Sequence, residues 1–289
     1  MEKIAFLKRT KIYYDLTKPS IIGGNLVTTV GGFALASRLH FNFSLLFFTL
    51  VGIALIVASG CVFNNYIDRS SDQKMTRTKN RPLARGLISA KDSLIFATAL
   101  LFLGTFVLLN FVNFLATWIA LIGFAIYAVW YSLAKHLTPH ATLIGSLAGA
   151  APAAVGYVAS SGTLEFGALI IFLIVMFWQM PHFYAIAIYR KKEYEKASVP
   201  VLPLKYSMKA TKINMLAYLI VFMGTSILPT LYLYTGYLYL VTTLVLGTWW
   251  LVTCIQGFFA KNDIKWARKM FLVSLVVIFG ICGMLLLPM

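Results

Sequence analysis

The segment best equipped for chemistry runs Asn64-Asn65-Tyr66-Ile67-Asp68-Arg69-Ser70-Ser71-Asp72-Gln73-Lys74-Met75-Thr76-Arg77-Thr78-Lys79-Asn80-Arg81-Pro82. Asn64, Asp68 and Asp72 recur every four residues, which sets all three side chains on one face if a helix continues through them. Two carboxylates and an amide oxygen so arranged form an all-oxygen ligand set. It suits magnesium, which keeps several waters and shares its coordination sphere with substrate phosphates. Lys74, Arg77, Lys79 and Arg81 follow at once, cations able to neutralise phosphate oxygens, Arg by bidentate forks and Lys as a point charge. A bare basic loop would serve equally to touch anionic lipid headgroups. Two Asp residues at that place oppose such lipids and call for compensation, so a metal–diphosphate site is the expectation.

Two further segments carry polar chemistry. Tyr189-Arg190-Lys191-Lys192-Glu193-Tyr194-Glu195-Lys196 leads into Val199-Pro200-Val201-Leu202-Pro203, whose prolines suggest a stiffened turn. Glu193 is a candidate ligand for a second magnesium, with Lys192 or Lys196 steadying a leaving group; the plain alternative is a solvated face. Trp178-Gln179-Met180-Pro181-His182 lies inside an apolar run, where polar groups are costly and face a cavity or a partner. Gln179, His182 and the carbonyl freed by Pro181 look like a cavity wall, against the alternative of a hydrogen-bonded packing histidine. Tyr127, Trp130 and Tyr131, followed by Lys135, His136 and Thr138, form either an interfacial belt or a pocket wall whose electron-rich faces stabilise an allylic cation. The small-residue run Gly145–Pro152 is expected to let helices approach closely.

These segments need apolar elements to hold them. Hydrophobic residues make up 60% of the 289 and charged ones 12%, too little polar surface for a globule in water. Nine apolar runs approach the roughly 20 residues that span a bilayer: 21–38, 44–65, 91–110, 112–132, 141–160, 166–188, 211–231, 236–257 and 268–288. They are continuous rather than alternating, so helices are expected and a spanning barrel is not. In soluble surroundings the net charge of +16 would suggest nucleic acid. Here the 25 Lys and Arg gather in alternate loops, with Arg38 alone on the other side, so no nucleic-acid partner is expected. The asymmetry orients the chain with its N-terminus cytoplasmic and both polar loops, about 66–90 and 189–210, in that same compartment. Cys61, Cys254 and Cys282 show no paired spacing and read as small buried hydrophobes. No linker divides residues 1–289, so a single transmembrane domain is expected.

Together these residues resemble the intramembrane aromatic prenyltransferase superfamily typified by the 4-hydroxybenzoate polyprenyltransferases, and within it the protohaem IX farnesyltransferases. The Asn-x-x-x-Asp-x-x-x-Asp motif stands as Asn64, Asp68 and Asp72, followed by Met75-Thr76-Arg77-Thr78-Lys79-Asn80-Arg81-Pro82. Branch-specific matches are Leu16-Thr17-Lys18-Pro19, Trp178-Gln179-Met180-Pro181-His182 and Val199-Pro200-Val201-Leu202-Pro203. Glu193 departs from the Asp of many relatives, and the usual paired second Asp of that loop is absent. The resemblance implies an all-α fold of nine transmembrane helices around a central cavity, in a bacterial inner membrane, with Mg2+ as cofactor. It implies transfer of farnesyl from farnesyl diphosphate to haem b, which is substrate and not cofactor. Asn64, Asp68, Asp72 and Glu193 would be catalytic, the first three holding the metal. Lys18, Lys74, Arg77, Arg81 and Lys192 would bind diphosphate, and His182, Gln179, Trp178, Tyr131 and Lys135 would contact haem. A haem A synthase or a terminal oxidase is a candidate downstream partner. The nearest rival is a prenyltransferase acting on a quinone or phenolic acceptor. A haem transporter is a rival of another class, disfavoured because the acids collect at the membrane surface rather than mid-span.

Overall fold

The computed structural model describes residues 2–37 and 40–287, with side chains from Arg9 onward. The expectation for Arg38 lies outside the described residues. Among them there is no strand, and nine helices are long and apolar enough to cross a membrane. These are α2 (Pro19–Ser37), α3 (Phe43–Lys74), α4 (Ala90–Phe111), α5 (Phe114–Ala134), α6 (Ala141–Ser161), α7 (Phe166–Tyr189), α10 (Met208–Leu231), α11 (Tyr237–Phe259) and α12 (Asp263–Met284). Each expected apolar run falls within or largely overlaps one of them. Three helices outside the spans had no counterpart in the apolar pattern: α1 (Glu2–Leu16), α8 (Lys191–Lys196) and α9 (Leu202–Lys205).

Polar residues set the helix starts. The side chains of Asn42, Ser89 and Asn113 accept main-chain N–H bonds from Leu45, Asp92 and Ala116, satisfying donors at the N-termini of α3, α4 and α5. α3 is the longest at 32 residues, about 48 Å at the helical rise, against a hydrocarbon core of about 30 Å. It is therefore longer than one apolar span needs, and its polar residues gather in its last turns. Asn64, Asp68 and Asp72 occupy those turns.

Glycine governs the innermost crossing. A Cβ on Gly32 of α2 would lie 1.9 Å from the carbonyl oxygen of Ala153, and one on Gly156 of α6 would lie 2.0 Å from that of Thr29. Only residues without side chains let these two backbones meet, which is how small residues join helices where lipid removes the hydrophobic drive. α2 packs chiefly on α6, α3 on α4, and α7 on α6, α10 and α12. The two halves of the chain thus interlock instead of standing apart as separate bundles. The apolar core spreads across these contacts, from Phe33 and Ile53 to Trp250 and Val277. The three cysteines are buried and free, as expected.

Candidate active site

At the end of α3 the ladder residues share one face, and all are buried, with Asn64 at 3%, Asp68 at 7% and Asp72 at 4% exposure. Each meets a cation. Lys18 Nζ donates to Asn64 Oδ1 at 2.6 Å. Lys135 Nζ donates to Asp68 Oδ2, and His136 Nε2 lies 3.3 Å from Asp68 Oδ1. Arg81 Nη1 reaches both oxygens of Asp72, at 3.0 and 2.8 Å.

Local structure explains how these cations arrive. Lys18 joins α1 to α2 in the left-handed region, φ +52°, a conformation that costs a non-glycine residue about 1–3 kcal/mol. Asn65 fixes the same corner by donating its amide to the Leu16 carbonyl at 2.9 Å. Lys135 and His136 follow a π-helical stretch, Ile126–Tyr131, within α5. Such bulges re-aim side chains and recur at functional sites. Here the bulge turns Tyr127 and Tyr131 inward as a stacked pair, ring centroids 5.6 Å apart. Gly60 and Gly145 make room, since a Cβ on either would come within 3.0 and 2.9 Å of those rings. Trp130 points outward and is 59% exposed, so the expected aromatic belt divides between lipid and interior. Ser132, fully buried, accepts from the Asn64 amide at 2.9 Å and donates to the Tyr127 carbonyl, also at 2.9 Å.

The site carries one more cationic side chain than carboxylate, counting Lys18, Arg81 and Lys135 against Asp68 and Asp72. Burial, then repulsion from Arg81, pushes the Lys18 ammonium down to about 7, with Lys135 adding and Asp68 opposing. Burial lowers Lys135 as well, partly offset by Asp68. An anion placed among these cations reverses both penalties.

The two polar loops meet at this end, as their shared sidedness required. The Arg77 main-chain N–H donates to Glu193 Oε2 at 3.2 Å, while Arg190 Nη1 donates to Glu193 Oε1 at 2.6 Å. Beneath them Met75 packs with Ala197 and Val199. Glu193 is thus occupied by the loops, not by the ladder. Lys74 and Lys192 are exposed, and the ion pairs of Asp68 and Asp72 among the described residues are with Lys135, His136 and Arg81. The expected haem group is not gathered in one place. Tyr131 and Lys135 belong to the ladder, with Lys135 Nζ 5.5 Å from the Tyr131 ring centre. Gln179 is held against α6, donating to the Ser146 carbonyl at 3.4 Å. Trp178 and His182 turn to α12, where Trp178 Nε1 donates to the Ser274 carbonyl and His182 Nδ1 lies 2.7 Å from Ser274 Oγ. Ser132 was not among the expected site residues, and His136 was expected only as part of a belt or pocket wall. Ser132 lies one helical turn before Lys135 and His136, and that spacing was the available signal.

Residues 25–276 match the UbiA prenyltransferase family. A protoheme IX farnesyltransferase of Protochlamydia amoebophila is 51% identical over 266 residues, covering 92% of this chain and 94% of the relative. The chain belongs to the UbiA prenyltransferase family, in its protohaem IX farnesyltransferase branch. Family membership extends to the fold. A digeranylgeranylglyceryl phosphate synthase superposes with a TM-score of 0.80 at 19% identity, covering 96% of this chain and 99% of that one. A UbiA homologue from Archaeoglobus fulgidus, bound to GPP and Mg2+, superposes at 0.64 with 15% identity, over 93% and 98% of the two chains. Within this family's fold, the ladder, its cations and both loops lie together at one end of the helices. Among the described residues no three His, Cys, Asp or Glu side chains cluster for a metal. The ladder's third oxygen comes from an amide, Asn64.

Proposed function

We propose that the chain transfers a farnesyl group from farnesyl diphosphate to a vinyl group of protohaem IX, with addition of water, giving haem O and pyrophosphate. The observation that carries this reading is the 51% identity to a protoheme IX farnesyltransferase along nearly the full length of both chains. The site chemistry agrees. Asn64, Asp68 and Asp72 offer hard oxygen donors on one buried face, a set that would hold Mg2+. Bound there, Mg2+ draws negative charge from the diphosphate and so assists carbon–oxygen cleavage.

The chain's own residues do the rest. Lys18, Arg81 and Lys135 supply fixed positive charge where the leaving group's charge grows, a stabilisation that needs no reorganisation at the moment of ionisation. Arg77 follows the ladder closely enough to add to it, while Lys74 and Lys192 attract the diphosphate from outside. The stacked faces of Tyr127 and Tyr131 border the ladder and favour an allylic cation over attack by bulk water. The haem vinyl group then attacks the farnesyl cation, and water adds to the resulting carbon cation with loss of a proton. His182 supports a haem contact through its tautomer. Ser274 Oγ donates to the Phe271 carbonyl at 2.6 Å, so His182 Nδ1 must be the donor to Ser274, which leaves Nε2 with a free electron pair. We place the N-terminus and both loops in the cytoplasm of a bacterial inner-membrane protein, on the distribution of Lys and Arg.

Purified enzyme incubated with haem b, farnesyl diphosphate and Mg2+, with and without chelator, tests the reading. Mass spectrometry should reveal a Mg2+-dependent haem product heavier by farnesyl plus water. Pyrophosphate release with a phenolic acceptor, and none with haem b, would transfer the assignment to the quinone-type prenyltransferases.

A further inference from the structure

We infer that Arg268, with Arg190 beside it, receives the propionate carboxylates of the haem acceptor at the loop end of the seam between α7 and α12. The inference rests on the acceptor assigned above and adds which edge of the porphyrin is held. A run of ring contacts forms the seam. His182 stacks on Trp178 at 4.8 Å and meets Phe271 of α12 at 4.9 Å. Phe271 meets Tyr189 at 5.9 Å, close to edge-on. The Tyr189 ring carries two guanidinium groups, Arg190 at 5.2 Å and Arg268 at 6.0 Å from its centre, within the range of cation–π attraction. Trp178, His182, Ala185 and Tyr189 recur at four, three and four residues, which sets them on one face of α7.

The two ends of this seam differ in charge. Its deep part offers rings and one imidazole, and its loop end offers two permanent cations. Arg190 shares its charge with Glu193 at 2.6 Å. Arg268 is exposed and pairs with no carboxylate among the described residues. Haem b has the complementary chemistry, an apolar disc with iron at its centre and two carboxylates on one edge. Arginine takes carboxylates through paired N–H donors, aromatic rings take the disc, and the free imidazole nitrogen of His182 faces the iron. Seven residues separate His182 from Tyr189, about 10 Å along the helix, a span that a porphyrin bridges from its iron to the ends of its propionates. The vinyl groups lie across the ring from the propionates. Holding the carboxylate edge at the helix ends therefore turns the reacting edge inward among the helices.

Esterifying the porphyrin separates charge from packing. The full-length protein in a neutral detergent is titrated with haem b and with haem b dimethyl ester, and binding is followed at the Soret band. Arg268→Gln should weaken haem b binding roughly tenfold, the scale of a charge-assisted contact at a partly solvated site. The same variant should bind the ester within about twofold of wild type. Wild type should prefer haem b to the ester, and Arg268→Lys, which keeps the charge without the fork, should fall between wild type and Arg268→Gln for haem b. Adding Arg190→Gln to Arg268→Gln should erase the remaining preference for haem b over its ester. Equal losses for haem b and ester in Arg268→Gln would make Arg268 a packing residue. Unchanged haem b binding would make it a cation for anionic lipid headgroups. Either outcome overturns the inference and leaves the acceptor reading standing, whereas a wild-type protein that binds neither porphyrin overturns both.

Discussion

Arg81 holds Asp72 through a single nitrogen that reaches both carboxylate oxygens, nine residues further along the chain and across a turn. The pair is unequal in burial, with 21% of the Arg81 side chain accessible and 6% of Asp72. The arginine can therefore lean toward an incoming phosphate without leaving its carboxylate.

Arg81→Ala is expected to lower kcat/KM for farnesyl diphosphate by roughly 30-fold, about 2 kcal/mol. This is below the ~3–5 kcal/mol for breaking a fully buried pair because Arg81 is partly solvated. Arg81→Lys keeps the charge on a shorter, more strongly hydrated group without a fork for phosphate oxygens, and should fall between Ala and wild type. Steady-state kinetics on protein of matched folding check both. Equal rates for Arg81→Ala and wild type would remove Arg81 from the site.

Lys135→Ala leaves Asp68 with His136 alone. Turnover is expected to drop at least tenfold with little change in thermal stability, because Asp68 stands where solvent can reach once the lysine is gone. Ser132→Ala should behave in the opposite way. The fully buried Ser132 hydroxyl joins the Asn64 amide to the Tyr127 carbonyl, so its loss should cost about 1 kcal/mol of stability and a smaller fraction of the rate. A thermal melt in detergent beside a product assay separates the two.

The spans and the ladder were legible because each rests on local pattern, apolar length for the helices and a four-residue period for Asn64, Asp68 and Asp72. Lys18 entered through the family motif alone; nothing in its spacing announces a left-handed turn that aims it at Asn64. Lys135 was expected to contact haem, and its pairing with Asp68 was not legible because sequence order cannot tell that a π-helical stretch turns α5 toward Asp68. Trp178, Gln179 and His182 looked like one wall because they are neighbours in sequence. Yet residues one turn apart can face different helices, and here Gln179 meets α6 while Trp178 and His182 meet α12. Glu193 was taken for a ligand by its charge and sidedness. The contacts that Glu193 makes, to a backbone N–H and to an arginine three residues away, are not visible as a motif.

The crossing of α2 and α6 should tolerate no side chain. Gly32→Ala or Gly156→Ala would place a methyl within about 2 Å of backbone oxygens that cannot yield, and each is expected to cost on the order of 3 kcal/mol. Gly224→Ala is the control, since nothing lies within 4 Å of its Cβ position. That change in a helix interior should be neutral or stabilise by up to about 1 kcal/mol. Melting temperatures in one detergent should rank the control at or above wild type and both crossing variants well below it.

His182 offers the sharpest test of where the acceptor lies. Its ring stacks on Trp178 at 4.8 Å and meets Phe271 at 4.9 Å, and Ser274 fixes the tautomer that leaves Nε2 unprotonated. If Nε2 contacts haem, His182→Ala should weaken haem b binding at least tenfold while KM for farnesyl diphosphate stays within about twofold, because the ladder is untouched. Ser274→Ala keeps the ligand but frees the ring to rotate, so its loss in haem affinity should be smaller, on the scale seen when the partner of a metal-ligating histidine is removed. The Soret band of bound haem should shift in His182→Ala and less in Ser274→Ala. An unchanged spectrum and affinity in His182→Ala, with a lowered melting temperature, would make the residue a packing element between α7 and α12 and move the haem contacts to the Tyr127–Tyr131 side of the ladder.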